Sequence, residues 1–299
     1  MPRYYLTGFA DEAAKDLAGQ IRATQDLGWR DIESRNIDGK NIHDLSDAEF
    51  DTVCGQLADS GVRINCFGSA IANWGKPIDQ PFDSSLAETR RAIPRMQRLG
   101  AKLVRIMSFA VRKDAAGADL PDQLEEERFR RVRELHRMFT DAGITPVHEN
   151  CMNYGGMSWR HTLRLVENVP GLKLVFDTGN PVFTDDRSQP APYPKQSAWE
   201  FYQHVREHVA YLHIKDGTWD AAANKPVFTH IGEGDGDVRR ILADLLWRGY
   251  AGGISIEPHL AVVFHDPAQQ CEDAVRYANY VEYGRRLMRL LAELEAAHG

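Results

Sequence analysis

The sequence lacks the features that mark several large classes of protein. It has only four cysteines, with no Cys-x-x-Cys spacing, so we expect reduced thiols in a cytoplasmic protein. No apolar run approaches the about 18 residues of a membrane span, and no basic segment followed by an apolar stretch opens the chain. With 36 Lys and Arg against 43 Asp and Glu, the net charge is -7, and no basic run is long enough for a nucleic-acid surface. We therefore expect neither membrane nor nucleic-acid partners.

The sequence does contain a regular alternation of short apolar runs and longer amphipathic segments, without a Gly/Ser-rich linker. Eight such pairs in 299 residues predict an α/β protein, a single (β/α)8 TIM barrel domain spanning residues 1–299. An open doubly wound sheet is the alternative, but the GFADEA segment is not the glycine-rich phosphate loop that such sheets often carry. The predicted strands span residues 4–8, 31–34, 63–67, 103–107, 145–148, 173–176, 210–214 and 253–256.

Capping residues and long loops add detail to this barrel. The spacing of a capping box, in which a side chain and the residue three positions later satisfy free amides, predicts helix starts at Ser46, Ser85 and Asp122. Enlarged loops are predicted at about residues 181–197 and 218–237, each after a strand and before a helix. In a barrel, loops in this position lie on the face that carries the active site.

Four of the predicted strands run directly into ionisable residues, in the segments PVHEN, LVFDTGN, YLHIKDG and SIEPH. Burying charge is costly unless the charge is paired or binds a metal. These are strands five to eight, whose carboxyl ends are neighbours on one half of a barrel rim. Three carboxylates and one imidazole suit Mn²⁺, Mg²⁺ or Co²⁺ better than a structural zinc, and Mn²⁺ is the first choice. The predicted ligands are Glu149, Asp177, His213 and Glu257.

The segments HEN, DTGN, HIKD and IEPH, together with the element order of nearly the whole chain, resemble the xylose-isomerase-like barrel superfamily. The resemblance is to its sugar isomerase and epimerase branch, which includes ketose 3-epimerases, inosose dehydratases and the barrel subunits of C-glycoside deglycosidases. It implies a metal held by the four predicted ligands, with Glu149 and Glu257 also moving protons. It further implies a small sugar or glycoside substrate, and a homo-oligomer or a complex with a small partner subunit.

The reaction class implied by the resemblance has a simple physical basis. A metal bound to a carbonyl oxygen and to the hydroxyl on the neighbouring carbon stabilises an enediolate. A carboxylate therefore removes the proton from the hydroxyl-bearing carbon near neutral pH. Returning the proton gives an epimer or an isomer, and we predict a sugar isomerase or epimerase. A lyase that expels a leaving group from a 3-oxo-glycoside or a keto-cyclitol is the alternative. Asn180 and Trp219, which stand where ketose epimerases have histidine and arginine, favour the alternative.

Other residues near the predicted strand ends are candidates for substrate contacts. His148 is a candidate acid or base, although strand alternation points it away from Glu149 unless the strand has already ended. Lys215 either binds a substrate oxygen or pairs with Asp216. Aromatic residues on rim loops either stack on sugar faces or simply pack. The predicted substrate-binding residues are Glu33, Asn180, Lys215, Trp74 and Phe109.

Overall fold

The computed structural model describes residues 4–262 and 271–298, and within them eight parallel strands form a nearly closed barrel, as predicted. The strands are β1 (Tyr5–Gly8), β2 (Asp31–Ser34), β3 (Arg63–Phe67), β4 (Leu103–Ile106), β5 (Thr145–Glu149), β6 (Lys173–Asp177), β7 (Val209–Ile214) and β8 (Gly253–Ile256). The sheet order is β1-β8-β7-β6-β5-β4-β3-β2, and a bridge between Phe9 and Glu33 joins its two edges. The helices that follow them are α1 (Leu17–Asp26), α2 (Asp47–Ser60), α3 (Asp83–Leu99), α4 (Glu125–Asp141), α5 (Trp159–Asn168), α6 (Ala198–Val205), α7 (Val238–Trp247) and α8 (Asp273–His298).

Helix starts agree with the predicted capping boxes in one case out of three. Ser46 and Glu49 form the complete capping box at the start of α2. The other two predictions were wrong. α3 begins at Asp83, because the Glu88 carboxylate binds Lys76 and is not available to cap a helix that would start at Ser85. α4 begins only at Glu125, because the Asp122 side chain accepts from the Leu124 amide at 2.9 Å and so forms a turn before the helix.

Strand alternation places the candidate site above an apolar layer inside the barrel. Val147, Val175 and Tyr211 are buried together in the barrel interior with Cys66. Side chains two residues further along a strand point in the same direction. The strand ends that carry charged residues therefore project into the same interior, one layer closer to the carboxyl face.

The long loops are more structured than the sequence indicates. The segment after β6 begins with a short helix, Asn180–Phe183, and the segment after β7 contains an antiparallel hairpin of Gly217–Asp220 with Lys225–Phe228. Both border the carboxyl face of the barrel, together with loops 68–82 and 107–124, which we did not predict as enlarged. Among the described helices, none is long and apolar enough to cross a membrane.

Candidate metal centre

Four buried ionisable side chains meet at the carboxyl end of the barrel. One ligand atom from each lies within 4.8 Å of the ligand atoms of the other three. Strands β5, β6 and β7 supply the first three residues, and the fourth follows β8 directly. The cluster consists of the four residues predicted as metal ligands, Glu149, Asp177, His213 and Glu257.

Each glutamate of the cluster is held through one oxygen by a buried arginine. Arg105 Nη1 donates to Glu149 Oε2 at 3.1 Å, and Arg35 Nη1 donates to Glu257 Oε1 at 2.9 Å. Burial favours the neutral form of Glu149, but Arg105 and His213 outweigh it and lower the carboxyl pKa to about 2. The pKa of Glu257 is also held well below its ordinary value, because surrounding cations outweigh burial. Both glutamates are therefore ionised at neutral pH, and each keeps one oxygen that is not bound to arginine.

The His213 imidazole is oriented by a carboxylate beneath it. Its Nε2 lies 3.1 and 3.0 Å from the two oxygens of Glu33, while its Nδ1 lies 3.4 Å from Glu149 Oε1. Burial alone would lower the imidazole pKa, but the charges of Glu33 and Glu149 raise it to about 10. A carboxylate that fixes one ring nitrogen in this way leaves the other nitrogen directed at a metal. Glu33, which we predicted as a substrate contact, is fully buried against this imidazole.

The chemistry of the cluster fits a divalent cation. Asp177 Oδ2 and Glu257 Oε2 are buried, and neither has a hydrogen bond of regular geometry to a described residue. The Lys215 ammonium lies 3.0 Å from the first and 2.8 Å from the second, so it partly neutralises the carboxylates. Burial, partly offset by Lys215, raises the pKa of Asp177 to about 6. Three oxygen donors and one nitrogen donor suit Mn²⁺ or Mg²⁺.

One of our two interpretations of Lys215 was an ion pair with Asp216. The structure does not form that pair. The Asp216 carboxylate instead accepts hydrogen bonds from the backbone amides of Gly217 at 2.9 Å, Gly232 at 2.7 Å and Gly236 at 2.9 Å. A Cβ on residue 236 would approach Asp216 Oδ1 to 2.8 Å, so the glycine permits the close wrapping. The glycine-rich loop therefore fixes the end of β7 and the site residues next to it.

A pocket of about 240 Å³ opens above the cluster. Asn180 spans two of its charged groups, because its Nδ2 donates to Glu149 Oε1 at 3.2 Å and its Oδ1 accepts from Lys215 Nζ at 3.3 Å. Both glutamates of the cluster line this pocket, together with the predicted contacts Trp74, Asn180 and Lys215.

Two other predicted site residues lie away from the pocket. His148 is fully buried on the opposite face of β5, where its Nε2 lies 3.0 Å from Ser108 Oγ, and burial lowers its pKa to about 4. Phe109 is only 2% exposed and packs edge-on against Phe82, with 6.2 Å between the ring centroids. His148 faces away from the pocket because successive side chains on a strand point to opposite faces. Phe109 is buried because it packs in the apolar core. Neither side chain lines the pocket above the cluster.

Among the pocket-lining residues that the sequence analysis missed are two arginines and a histidine. Arg105 lies inside the apolar segment KLVRIM, two positions after the inward-facing Leu103, and that alternation was a usable signal. Arg35 directly follows β2. His259 follows Glu257 by two residues, and its Nδ1 lies 2.8 Å from Glu12 Oε1.

The contact between Glu33 and His213 gives a first prediction. Replacing Glu33 with Gln is expected to weaken Mg²⁺ or Mn²⁺ binding about 10- to 100-fold, because the imidazole loses the carboxylate that orients it. Calorimetric titration of the metal would measure the change. Asp31→Asn is the matched control, because Asp31 lies on the same strand but pairs with the exposed Arg63. Equal metal affinity of the two variants would contradict this role of Glu33.

The pKa of His213 gives a second prediction. In the metal-free protein the imidazole is protonated below about pH 10, whereas metal binding requires its neutral form. Asp177 is ionised above about pH 6. Affinity for Mg²⁺ is therefore expected to rise about tenfold per pH unit between about pH 7 and 8.5, with release of one proton. Titrations at three pH values in that range would show a flat profile if His213 is not a ligand.

Comparison with solved structures shows what this fold resembles. The magnesium complex of a xylose isomerase-like TIM barrel protein from Mycobacterium smegmatis has 18% sequence identity and a TM-score of 0.68, over 97% of this chain and 99% of that one. A D-tagatose 3-epimerase-like protein has 16% identity and a TM-score of 0.69, over 99% and 100% of the two chains. D-psicose 3-epimerase from Clostridium cellulolyticum H10, solved with D-tagatose, has 15% identity and a TM-score of 0.68, over 96% and 99%.

The sequence itself matches a family model over most of its length. No protein of curated function matches the sequence. The model described as xylose isomerase-like TIM barrel matches residues 21–281, a range that contains all four members of the buried cluster. The chain therefore belongs to the xylose isomerase-like TIM barrel family.

Proposed function

We propose that this protein is a divalent-metal-dependent isomerase or epimerase of a small keto-sugar, with Mn²⁺ as the preferred ion. The observation that carries the proposal is the pair of buried, ionised glutamates, Glu149 and Glu257, which flank one pocket and share one candidate metal centre. Two structural neighbours described as a ketose 3-epimerase and a 3-epimerase-like protein support the same reaction class.

In this proposal the metal is held by the four-residue cluster, and when bound it polarises the substrate carbonyl and the neighbouring hydroxyl. One ionised glutamate would remove the proton from the hydroxyl-bearing carbon. The other, after taking up a proton from solvent, would deliver it to the opposite face of that carbon or to the former carbonyl carbon. Arg105 keeps Glu149 ionised, Lys215 contributes most to keeping Glu257 ionised, and Arg35 holds one Glu257 oxygen in place. Lys215 and Asn180, on the pocket wall, bind sugar oxygens.

A lyase would begin with the same proton removal and would then need an acid to protonate the leaving group. His148 was the candidate for that step, and its burial beside Ser108 on the outer face of β5 removes it from the pocket. Expulsion of a leaving group is therefore an outcome to be tested rather than a second proposal.

Incubation of the Mn²⁺-loaded protein in D₂O with a panel of ketoses and 3-oxo-glycosides tests the proposal. We expect deuterium at a single carbon of recovered sugar, and an epimeric or isomeric product. The deuterated position identifies which proton is moved. An unsaturated product or a released aglycone would replace the proposal with the lyase. No exchange with any compound of the panel would overturn both.

A further inference from the structure

The Lys215 side chain places its ammonium inside the candidate metal centre. Its Nζ lies 3.0 Å from Asp177 Oδ2 and 2.8 Å from Glu257 Oε2, and the side chain is only 5% exposed. The other oxygen of each carboxylate is already held elsewhere. Asp177 Oδ1 accepts from the backbone amides of Gly179 and Asn180, each at 2.8 Å, and Glu257 Oε1 accepts from an arginine, as described above. The two oxygens that face the ammonium are therefore the ones that remain for a metal ion.

A divalent ion and the ammonium compete for these two oxygens. An ion that binds carboxylate oxygen at about 2.0–2.4 Å would stand next to a charge of the same sign. In a buried site the repulsion between them is strong and only weakly screened. Lysine carries a compact charge on a flexible chain, so its ammonium can leave without breaking the planar, paired hydrogen bonds that arginine forms with a carboxylate.

The structure provides room and a second partner for a displaced ammonium. Lys215 packs against Gly179, where a Cβ would approach the lysine Cγ to 2.8 Å, so the glycine makes room for the lysine chain. Asn180 Oδ1 accepts from Lys215 Nζ at 3.3 Å, and both residues line the pocket above the centre. A shift of the ammonium towards Asn180 therefore keeps a polar partner while it releases the two carboxylates.

We propose that Lys215 is the counter-ion of the metal-free centre, and that a divalent ion displaces its ammonium from Asp177 and Glu257 towards the pocket wall beside Asn180. The ion then neutralises the two carboxylates in place of the ammonium. This inference rests on the proposed function, because it requires the metal centre. It makes Lys215 a positioning residue that holds the carboxylates together in the metal-free protein, and metal binding presents it to the pocket, where the proposed function assigns it a sugar oxygen.

Lys215→Met tests the displacement, because methionine keeps an unbranched chain but carries no charge. Removing the competing ammonium is expected to tighten Mn²⁺ binding at least about tenfold, as measured by calorimetry. The denaturant midpoint of the metal-free protein is expected to fall, because two buried carboxylates lose their counter-ion. The midpoint at saturating Mn²⁺ is expected to stay nearly unchanged, because the tighter binding offsets that loss. A lysine with only a structural role would instead lower both midpoints and weaken Mn²⁺ binding.

Lys195→Met is the matched control for the loss of a paired lysine. Lys195 Nζ lies 2.8 Å from Asp185 Oδ1, but the residue does not line the pocket above the centre. This variant is expected to keep the Mn²⁺ affinity of the unaltered protein.

Acetylation of the unaltered protein locates the lysine without any substitution, so it does not depend on the folding of a variant. We expect acetic anhydride to modify Lys215 severalfold faster in the Mn²⁺-loaded protein than in the metal-free protein, with Lys195 as the internal reference and mass spectrometry as the measurement. Unchanged or slower modification of Lys215, or unchanged or weaker Mn²⁺ binding by folded Lys215→Met, would overturn the displacement and leave the metal centre standing. Failure of the unaltered protein to bind Mn²⁺ would overturn the metal centre and the proposed function with it.

Discussion

Exchange of the substrate proton with D₂O is expected to fall about a thousandfold when either Glu149 or Glu257 is replaced by Gln. Glutamine keeps the shape of the side chain and one oxygen that can bind a metal, but it can neither accept nor deliver a proton. The effect should therefore persist when Mn²⁺ is raised to saturation. Deuterium incorporation followed by NMR measures the rate for each variant.

Two comparisons separate proton transfer from loss of metal in these variants. Metal content measured at the same Mn²⁺ concentration shows how much of the change is due to weaker binding. Glu233→Gln is a control with the same chemical change, because Glu233 is an exposed residue that pairs with Arg286 and does not line the pocket above the cluster. Retention of the full exchange rate in both Glu149→Gln and Glu257→Gln, with metal bound, would contradict the role of the two carboxylates.

The second large effect is expected on stability, from Arg105→Met. Arg105 and Glu149 are buried, with side chains only 7% and 3% exposed. Without Arg105, the buried Glu149 carboxylate keeps only the longer contact with His213, and loss of the buried ion pair is expected to cost about 3–5 kcal/mol of the free energy of unfolding. Chemical denaturation of the metal-free protein would measure the loss. Arg63→Met is the matched control, because Arg63 pairs with Asp31 but is 70% exposed, and it should cost less than about 1 kcal/mol.

The stability loss in Arg105→Met should depend on pH with a defined sign. In the unaltered protein the folded-state pKa of Glu149 is about 2, below the unfolded value, so the ionised carboxylate stabilises the fold above the unfolded pKa. Without Arg105, burial is opposed by His213 with one cation fewer, so the folded-state pKa of Glu149 rises and protonation of its carboxylate reduces the stability loss as pH falls. The deficit should be largest near pH 7 and smaller near about pH 5. A deficit that grows on acidification would contradict this interpretation.

The inward direction of the charged side chains was predicted from strand alternation in the sequence. Val175 and Asp177 share a direction on β6, and on β7 Tyr211 and His213 do the same, so apolar residues mark the interior and the next inward position carries the charge. The barrel followed from the same periodicity, because each apolar run was short and each amphipathic segment was long enough for a helix.

The partners of the charged residues were not predictable from the same pattern. Arg35 binds Glu257 across 222 positions of the chain, and Glu33 binds His213 across 180. Such pairs depend on barrel closure, which brings β2 beside β1, the neighbour of β8. A charged residue at the end of a strand, such as Arg35, gives by itself no indication of which carboxylate it will face.

Local motifs failed where tertiary contacts competed with them. Ser85 and Asp122 have the spacing of capping boxes, but Lys76 holds the carboxylate that the first box needs. His148 stands next to Glu149 in sequence, yet successive side chains on a strand face opposite sides of the sheet. Adjacency in sequence was therefore a weaker guide to the site than a separation of two residues along a strand.

Anomalous diffraction from crystals soaked in Mn²⁺ tests the metal centre most directly. We predict one strong peak at about 2.0–2.4 Å from ligand atoms of Glu149, Asp177, His213 and Glu257, with Lys215 moved away from the carboxylates. A peak confined to the neighbouring group of Glu12, Glu257 and His259, or no peak at all, would contradict the account.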